Sequence, residues 1–386
     1  MSNHWPVVLV HGMFGFGPKE LGNLSYWGAA FEVSSPLDRF EASVGPISSP
    51  HDRACELAAQ IKGTIVDYGE VHATANGHER FGSNFTGRGF VSNWDSNHPV
   101  HLVGHSLGGQ TIRCLQYLLD QDYWGWGSER SWISSISTIS GSNNGSTATY
   151  FFGADEKTGL IPRSAGITPL LRLLEFYTSV TNVLVDKIYD FDLDHWGFSR
   201  LPGEDLIAYL QRVGKSSFFW GADNAFYAAT LHGAHRANGR WPTYPDTYYF
   251  STITEQTYRI WFKGHHHPSP LMTPSLRAPS RYVGSKVFQE PPVSQDSFNS
   301  SDWWENDGLV STYSQIAPHT DGDHPQGGEF SEGTDSPHFE KGKWYHDWAR
   351  GIDHGAICMT PHWWQRRWQR KYYERLFLRL AALNIG

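Results

Sequence analysis

Two apolar patterns alternate along the first 140 residues. "PVVLV" (6–10) and "PVHLVG" (99–104) are apolar at nearly every position, and "WISSISTISG" (132–141) sets isoleucines among small polar residues. Such short runs fit strands buried on both faces of a parallel sheet. "EASVGPI" (41–47) is a weaker strand candidate. Between them "RACELAAQIKGTI" mixes apolar and polar residues at helical period and stops at Gly63, and a second helix is expected from about Gly109 to Asp120. Further on, "PDTYYFSTIT" and "GSKVF" read as strands, and the Gly/Asp/Ser-rich stretch from Ile316 to Asp335 reads as a loop. Trp368, Tyr372, Leu376, Leu380 and Leu383 recur at near-helical spacing and close the chain with an amphipathic helix. Strands alternating with helices predict a doubly wound α/β sheet, and without repeats or low-complexity linkers the expectation is one domain over 1–386.

Composition removes some function classes. With 39 acidic against 31 basic residues the formal net charge is −8, which argues against a nucleic-acid partner. The one basic cluster, Arg366, Arg367, Arg370, Lys371, Arg375 and Arg379, is read as the solvated face of the last helix, not as a membrane or RNA surface. Cys55, Cys114 and Cys358 form no CxxC pair and cannot make a disulfide framework. "MSNHWPVVLVHG" has no signal-peptide pattern, so the expectation is cytoplasmic for a complete chain and extracellular if a leader has been removed. The longest apolar segment, "ITPLLRLLEFYTSVTNVLV", is interrupted by Arg172, Glu175 and Asn182, so no transmembrane segment is expected. An aromatic content of 15% favours ring packing first and a roomy apolar pocket second.

The candidate chemistry sits where the second strong strand meets its helix. In "VGHSLGGQT" a Gly-x-Ser-x-Gly turn joins the two, the geometry a nucleophile elbow needs to lift Ser106 Oγ above the sheet edge. Gly104 and Gly108 keep side chains out of the turn. The Leu107 amide, at the start of a helix, can donate to an oxyanion. "HGMFGFG" follows the first strand directly, and its Met13 amide is the expected second donor. A serine on this scaffold takes its acid and then its histidine from downstream. Asp307 in "ENDGLVST" and His354 in "GIDHGAI" fit that order, while His319, His324, His338 and His346 are also permitted by it.

Taken together, these strings resemble the bacterial lipases of family I.5, the thermostable lipases of thermophilic bacilli, with the staphylococcal lipases as more distant relatives. The resemblance runs through "PVVLVHG", "YWG", "VGPISSPHDRACE", "GTIVDYG", "GHERFG", "HSLGGQT", "YDFDLDHWG", "TYYFST", "ENDGLVST" and the final "DH". It implies an α/β-hydrolase fold with a helical lid, here about 160–200, and an ester- or lipid-hydrolysing activity. It also implies Ser106 as nucleophile, Asp307 as the orienting acid and His354 as base. A structural zinc ion is implied on Asp52, His72, His78 and Asp194, with His195 as a possible substitute, in an insertion built from about 48–85 and 186–250. Two imidazoles and two carboxylates complete a tetrahedron and leave no position for substrate water. The family's calcium ligands fall on Ala356 and Pro361, so no calcium site is expected. These bacterial lipases often carry Ala where Gly104 stands, and either residue is expected to suit the turn. Thr168 and Pro169 open the expected lid helix, with Leu170, Leu171, Leu173, Leu174, Phe176 and Tyr177 as its apolar surface. The run His265 to His267 lacks an acidic partner and is not expected to bind a second metal.

Overall fold

Four of the strongly apolar runs lie side by side at the centre of one sheet. The computed structural model describes residues 3–18, 20, 25–172, 175, 191–260, 264–293, 298–319, 326–330, 338–359 and 362–384. Its strands are β1 (Val7–Val10), β2 (Arg39–Ala42), β3 (Ile65–Asp67), β4 (Phe81–Asn84), β5 (Val100–His105), β6 (Ile133–Ile139), β7 (Tyr248–Glu255), β8 (Thr257–Arg259), β9 (His266–Pro268), β10 (Gln326–Glu329) and β11 (Trp344–Arg350). Seven of them form a sheet in the order β10-β11-β7-β6-β5-β1-β2, parallel throughout. β3 with β4 and β8 with β9 make two antiparallel ribbons outside it. Val7 and Leu9 enter the core on one side of the sheet, and Val8 and Val10 the core on the other. That two-sided burial is why β1 reads as an unbroken apolar run.

Local signals set the flanking helices. Helix α1 (Pro50–Lys62) begins with Ser49 accepting the Asp52 amide, has Pro50 in its first turn, and ends on Gly63 at φ 78°. Helix α2 (Glu70–Asn76) follows β3, and α3 (Gly108–Asp120) follows β5 without a spacer. The helix Arg366–Ala382 buries Tyr372, Tyr373, Leu376, Phe377 and Leu380. Asn3 donates its side-chain amide to Leu380 and Leu383 carbonyls, which ties the two ends of the described chain together. No helix among the described residues is long and apolar enough to cross a bilayer.

Two sequence expectations change, for "GSKVF" and for the loop Ile316 to Asp335, and a short helix follows Asp307. "GSKVF" is not a strand: it trails the helix Arg277–Val283, and the Lys286 carbonyl accepts from the Trp304 indole instead of a neighbouring strand. The apolar run after Asp307 turns at Ser311 into a short helix, Thr312–Ile316. β10 lies inside the expected loop, and its glycines gave no strand signal. A helix does begin at Thr168, with Leu170 buried and Leu171 partly exposed. Leu173, Leu174, Phe176 and Tyr177 of the expected lid lie outside the described residues.

Candidate active site and metal centre

Ser106 sits in the turn between the end of β5 and the start of α3. Its φ of 54° is left-handed, a conformation a non-glycine residue holds only when its surroundings force it. The Ser106 amide donates to Ile139 O at 2.9 Å and its carbonyl accepts from Gly109 at 3.1 Å. The two strand-side contacts are close. A Cβ on Gly104 would lie 2.4 Å from Gly108 C and O, and one on Gly108 would lie 2.2 Å from Val10 O. The expectation that Ala would serve equally at 104 is therefore wrong for this chain, because α3 packs its first peptide directly on the Gly104 Cα.

The structure brings His354 to the serine's side of the sheet. His354 and Ser106 line the same cavity, whereas His319, His338 and His346 do not, and His324 lies outside the described residues. His354 Nδ1 is 2.8 Å from Asp307 Oδ2, and both side chains are buried. The carboxylate has no lone pair to spare for rotation. Oδ2 also accepts from Thr254 Oγ1 at 2.7 Å and Gln315 Nε2 at 3.2 Å, while Oδ1 accepts the Leu309 and Val310 amides at 3.0 and 2.8 Å. An ionised carboxylate held this way fixes Nδ1 as the protonated nitrogen of His354, leaving Nε2 to accept.

Met13 and Leu107 also line this cavity. Neither amide donates to a protein acceptor among the described residues. The cavity measures about 120 Å³, and its walls, among them Phe14, Phe152, Ile161, Phe226 and Leu309, are mostly apolar. His11, just before this loop, donates Nδ1–H to Gly12 O at 2.9 Å and accepts the Val44 amide on Nε2 at 3.2 Å. Burial and the nearby Arg53 cation push its pKa down to about 3, so it stays a neutral brace.

Tyr26 and His105 belong to the site and were missed in the sequence. The Gly12 amide donates to Tyr26 Oη at 2.9 Å, Tyr26 Oη lies 2.6 Å from His105 Nδ1, and His105 Nε2 lies 3.0 Å from the His354 carbonyl. A carbonyl only accepts, so His105 carries its proton on Nε2 and accepts the tyrosine proton on Nδ1. Burial lowers the His105 pKa well below the ordinary range, which keeps this tautomer neutral. The chain of bonds ties the Met13 loop, the residue before the serine and the His354 loop into one unit. The signal available in sequence was the "YWG" string and the histidine adjoining Ser106.

A second polar cluster lies behind α1. Asp52, His72, His78 and Asp223 each offer one ligand atom, all within 4.8 Å of one another, the one such group among the described residues. His72 Nε2 is 3.0 Å from both Asp52 Oδ1 and Asp223 Oδ2, and His78 Nε2 is 3.9 and 3.7 Å from the same two oxygens. A tetrahedral zinc ion with bonds near 2.0–2.2 Å spaces its ligand atoms about 3.3 Å apart. His78 Nε2 is buried without a hydrogen-bond partner, and Asp223 Oδ2 has His72 Nε2 as its one close polar neighbour in the cluster. His78 Nδ1 meanwhile donates to Glu79 O at 2.8 Å, which leaves a bare lone pair on the nitrogen that faces the cluster. The donor set and the orphaned His78 nitrogen fit a closed divalent-metal site.

One expected ligand is not there. Asp194 is exposed and accepts from the Ser199 hydroxyl; Asp223, in the turn before the short helix Ala225–Ala228, takes the fourth corner. His195 is buried and sits 3.3 Å from Asp52 Oδ2, so it orients a ligand instead of replacing one. His72 lies on α2, and His78 follows the Gly77 cap of that helix. Of the expected calcium positions, Ala356 is buried beyond His354 and Pro361 lies outside the described residues. The neighbouring Asp353 is engaged by the Thr273 amide and hydroxyl and by the Gly355 and Ala356 amides.

The chain is similar to known proteins. A family profile described as "Lipase-like, C-terminal domain" matches residues 3–360. Lipase 2 of Staphylococcus aureus is 32% identical over 368 residues, covering 89% of this chain and 48% of that protein. The chain thus spans about half the length of the curated relatives it matches. Among solved structures, EstA from Clostridium botulinum is similar with a TM-score of 0.77 and 30% identity, covering 98% of this chain and 88% of that one. Lipase 1 from Pelosinus fermentans is similar with a TM-score of 0.77 and 30% identity over the whole of both chains. The common scaffold is the α/β-hydrolase fold.

Proposed function

The chain belongs to the family of lipase-like C-terminal domains, and from that premise we propose that it is a serine carboxylic ester hydrolase acting on apolar esters, triacylglycerols foremost. One observation carries the reading: a serine strained to φ 54° shares an apolar cavity with a histidine held 2.8 Å from a buried carboxylate. In the first half-reaction His354 Nε2 takes the Ser106 hydroxyl proton as Oγ attacks the ester carbonyl. The negative charge that develops on the carbonyl oxygen is met by the Met13 and Leu107 amides, which have no competing protein acceptor among the described residues. Asp307 keeps the imidazole in the productive tautomer and stabilises the imidazolium. Collapse of the tetrahedral intermediate sends the His354 proton to the leaving alcohol. Water then attacks the acyl-enzyme with the same histidine as base, releasing the acid and restoring Ser106.

In this reading Asp52, His72, His78 and Asp223 would hold zinc. The ion would supply a cross-link between α1, α2 and the Asp223 turn and no catalytic water, since four protein ligands close its coordination. That donor set, with the ordered motif strings, supports reading the chain as a relative of the zinc-containing thermostable lipases within the wider family. Calcium has no role in the reading.

Hydrolysis of p-nitrophenyl esters of graded chain length is the direct test, with Ser106→Ala beside the wild type. Turnover that survives at medium and long acyl chains and falls by at least about 10³-fold in the variant is expected. No turnover on any ester by the wild type would leave a silent binding protein, and activity confined to short soluble esters would make it an esterase of another substrate.

A further inference from the structure

The segment beyond the histidine loop carries a surface that ester hydrolysis does not use. Trp363 is 85% exposed and Trp364 is 46% exposed, in a fold that buries Trp27, Trp94 and Trp344 almost completely. The His362 ring stacks flat on Trp364 with centroids 4.4 Å apart, and Trp363 meets Trp364 edge-on at 5.8 Å. The two indoles stand just ahead of the helix Arg366–Ala382. Because that helix turns Tyr372, Tyr373, Leu376, Phe377 and Leu380 into the core, its outer face presents Arg367, Arg370, Lys371, Arg375 and Leu378 to solvent. Glu374 is the one acidic residue among them, and Arg370 shares Glu32 with Arg366. Arg367 and Lys371 have no ion pair or hydrogen bond among the described residues.

Arg367 and Lys371 alone fit the solvated face expected from the sequence. The exposed indoles change that reading, because paired tryptophans beside uncompensated cations have the chemistry of a segment lying in a lipid headgroup layer. The cations would meet anionic headgroups while the rings enter the acyl boundary. Self-association through the same patch is disfavoured, since it would face like charges against each other. The location is apt as well. Met359 lines the cavity that holds Ser106, and the four-residue step from Met359 to Trp363 reaches at most about 14 Å.

We propose that Trp363, Trp364, Arg367 and Lys371 form a docking surface for an anionic lipid layer, which sets the mouth of the Ser106 cavity against the interface that supplies its ester. The delivery role rests on the hydrolase reading; the docking does not. The test is co-sedimentation of Ser106→Ala protein with phosphatidylcholine vesicles made with and without phosphatidylglycerol. Binding to the anionic vesicles that weakens with added salt is expected. Trp363→Ala/Trp364→Ala and Arg367→Glu/Lys371→Glu should each lower it by at least about tenfold, and Trp363→Phe/Trp364→Phe should retain it. Turnover of soluble p-nitrophenyl butyrate by enzymes with Ser106 intact should be the same with and without these four substitutions, which shows that they fold. Equal binding by the alanine or glutamate variants, equal binding to neutral vesicles, or concentration-dependent dimerisation that Trp363→Ala/Trp364→Ala abolishes would each overturn the proposal. A wild type inactive on every ester would sink the hydrolase reading and leave the vesicle result standing.

Discussion

At the scale of single residues, the elbow shows how little room the serine's position leaves. Ser106 was legible because Gly-His-Ser-Leu-Gly falls between a strand and a helix, and that context is itself the chemistry. What the string alone did not reveal is that the two glycines do different things. Gly108 sits under the Val10 carbonyl, and Gly104 lies against the first peptide of α3, so a methyl group at 104 meets backbone atoms that cannot swing aside. Gly104→Ala should therefore push α3 away from β5 and cost about 1–3 kcal/mol of stability. Since α3 carries the Leu107 amide at its start, kcat on a soluble ester should fall by roughly tenfold or more, with KM little changed. Thermal melts and steady-state kinetics on the variant check both, and an unshifted melt with full kcat would show that the turn has slack the structure does not display.

Elements explain why some of the site could be read ahead of the structure and some could not. The central strands announce themselves because both faces are buried; β11 does not, because "WYHDWAR" mixes its buried Trp344 and Ala349 with a charged Asp347 and Arg350. Yet β11 is the strand that delivers the His354 loop. The loops at the strand ends are joined by bonds between residues distant in sequence, Gly12 to Tyr26 to His105 to His354, and such pairings leave no local pattern. Removing the Tyr26 hydroxyl tests what that linkage contributes. Tyr26→Phe leaves the buried Gly12 amide without its acceptor and His105 Nδ1 without its donor, at about 1–3 kcal/mol for unsatisfied buried groups. The Met13 amide follows Gly12 directly, so the expected kinetic signature is a fall in kcat of about tenfold at near-constant KM. A KM effect with unchanged kcat would mean that Tyr26 shapes the acyl pocket and does not position the loops.

For the whole molecule, the cluster of Asp52, His72, His78 and Asp223 is the feature that joins parts of the chain the sheet does not. Asp52 comes from α1, His72 and His78 from α2 and the turn after it, and Asp223 from a turn more than 140 residues later. Three of the four were legible through their strings, whereas Asp223 in "WGADNAF" has no spacing that marks it, and Asp194 stood beside a histidine that looked the part. If an ion closes this group, its binding free energy adds to the stability of the folded state alone. With free metal at a thousandfold over its dissociation constant, that is about 4 kcal/mol. Spread over an unfolding entropy of roughly 0.8 kcal/mol per kelvin for a chain of this size, it amounts to about 5 °C in melting temperature. Chelation should lower the melting temperature of the wild type by about that amount, and added zinc should restore it. Asp223→Ala should start at the lower value, lose bound zinc by elemental analysis and show little further response to chelator, while Asp194→Ala should match the wild type in both. Zinc retained by Asp223→Ala but lost from Asp194→Ala would return the fourth ligand to the residue that the sequence motif favoured, and the buried Asp223 oxygen would need another partner.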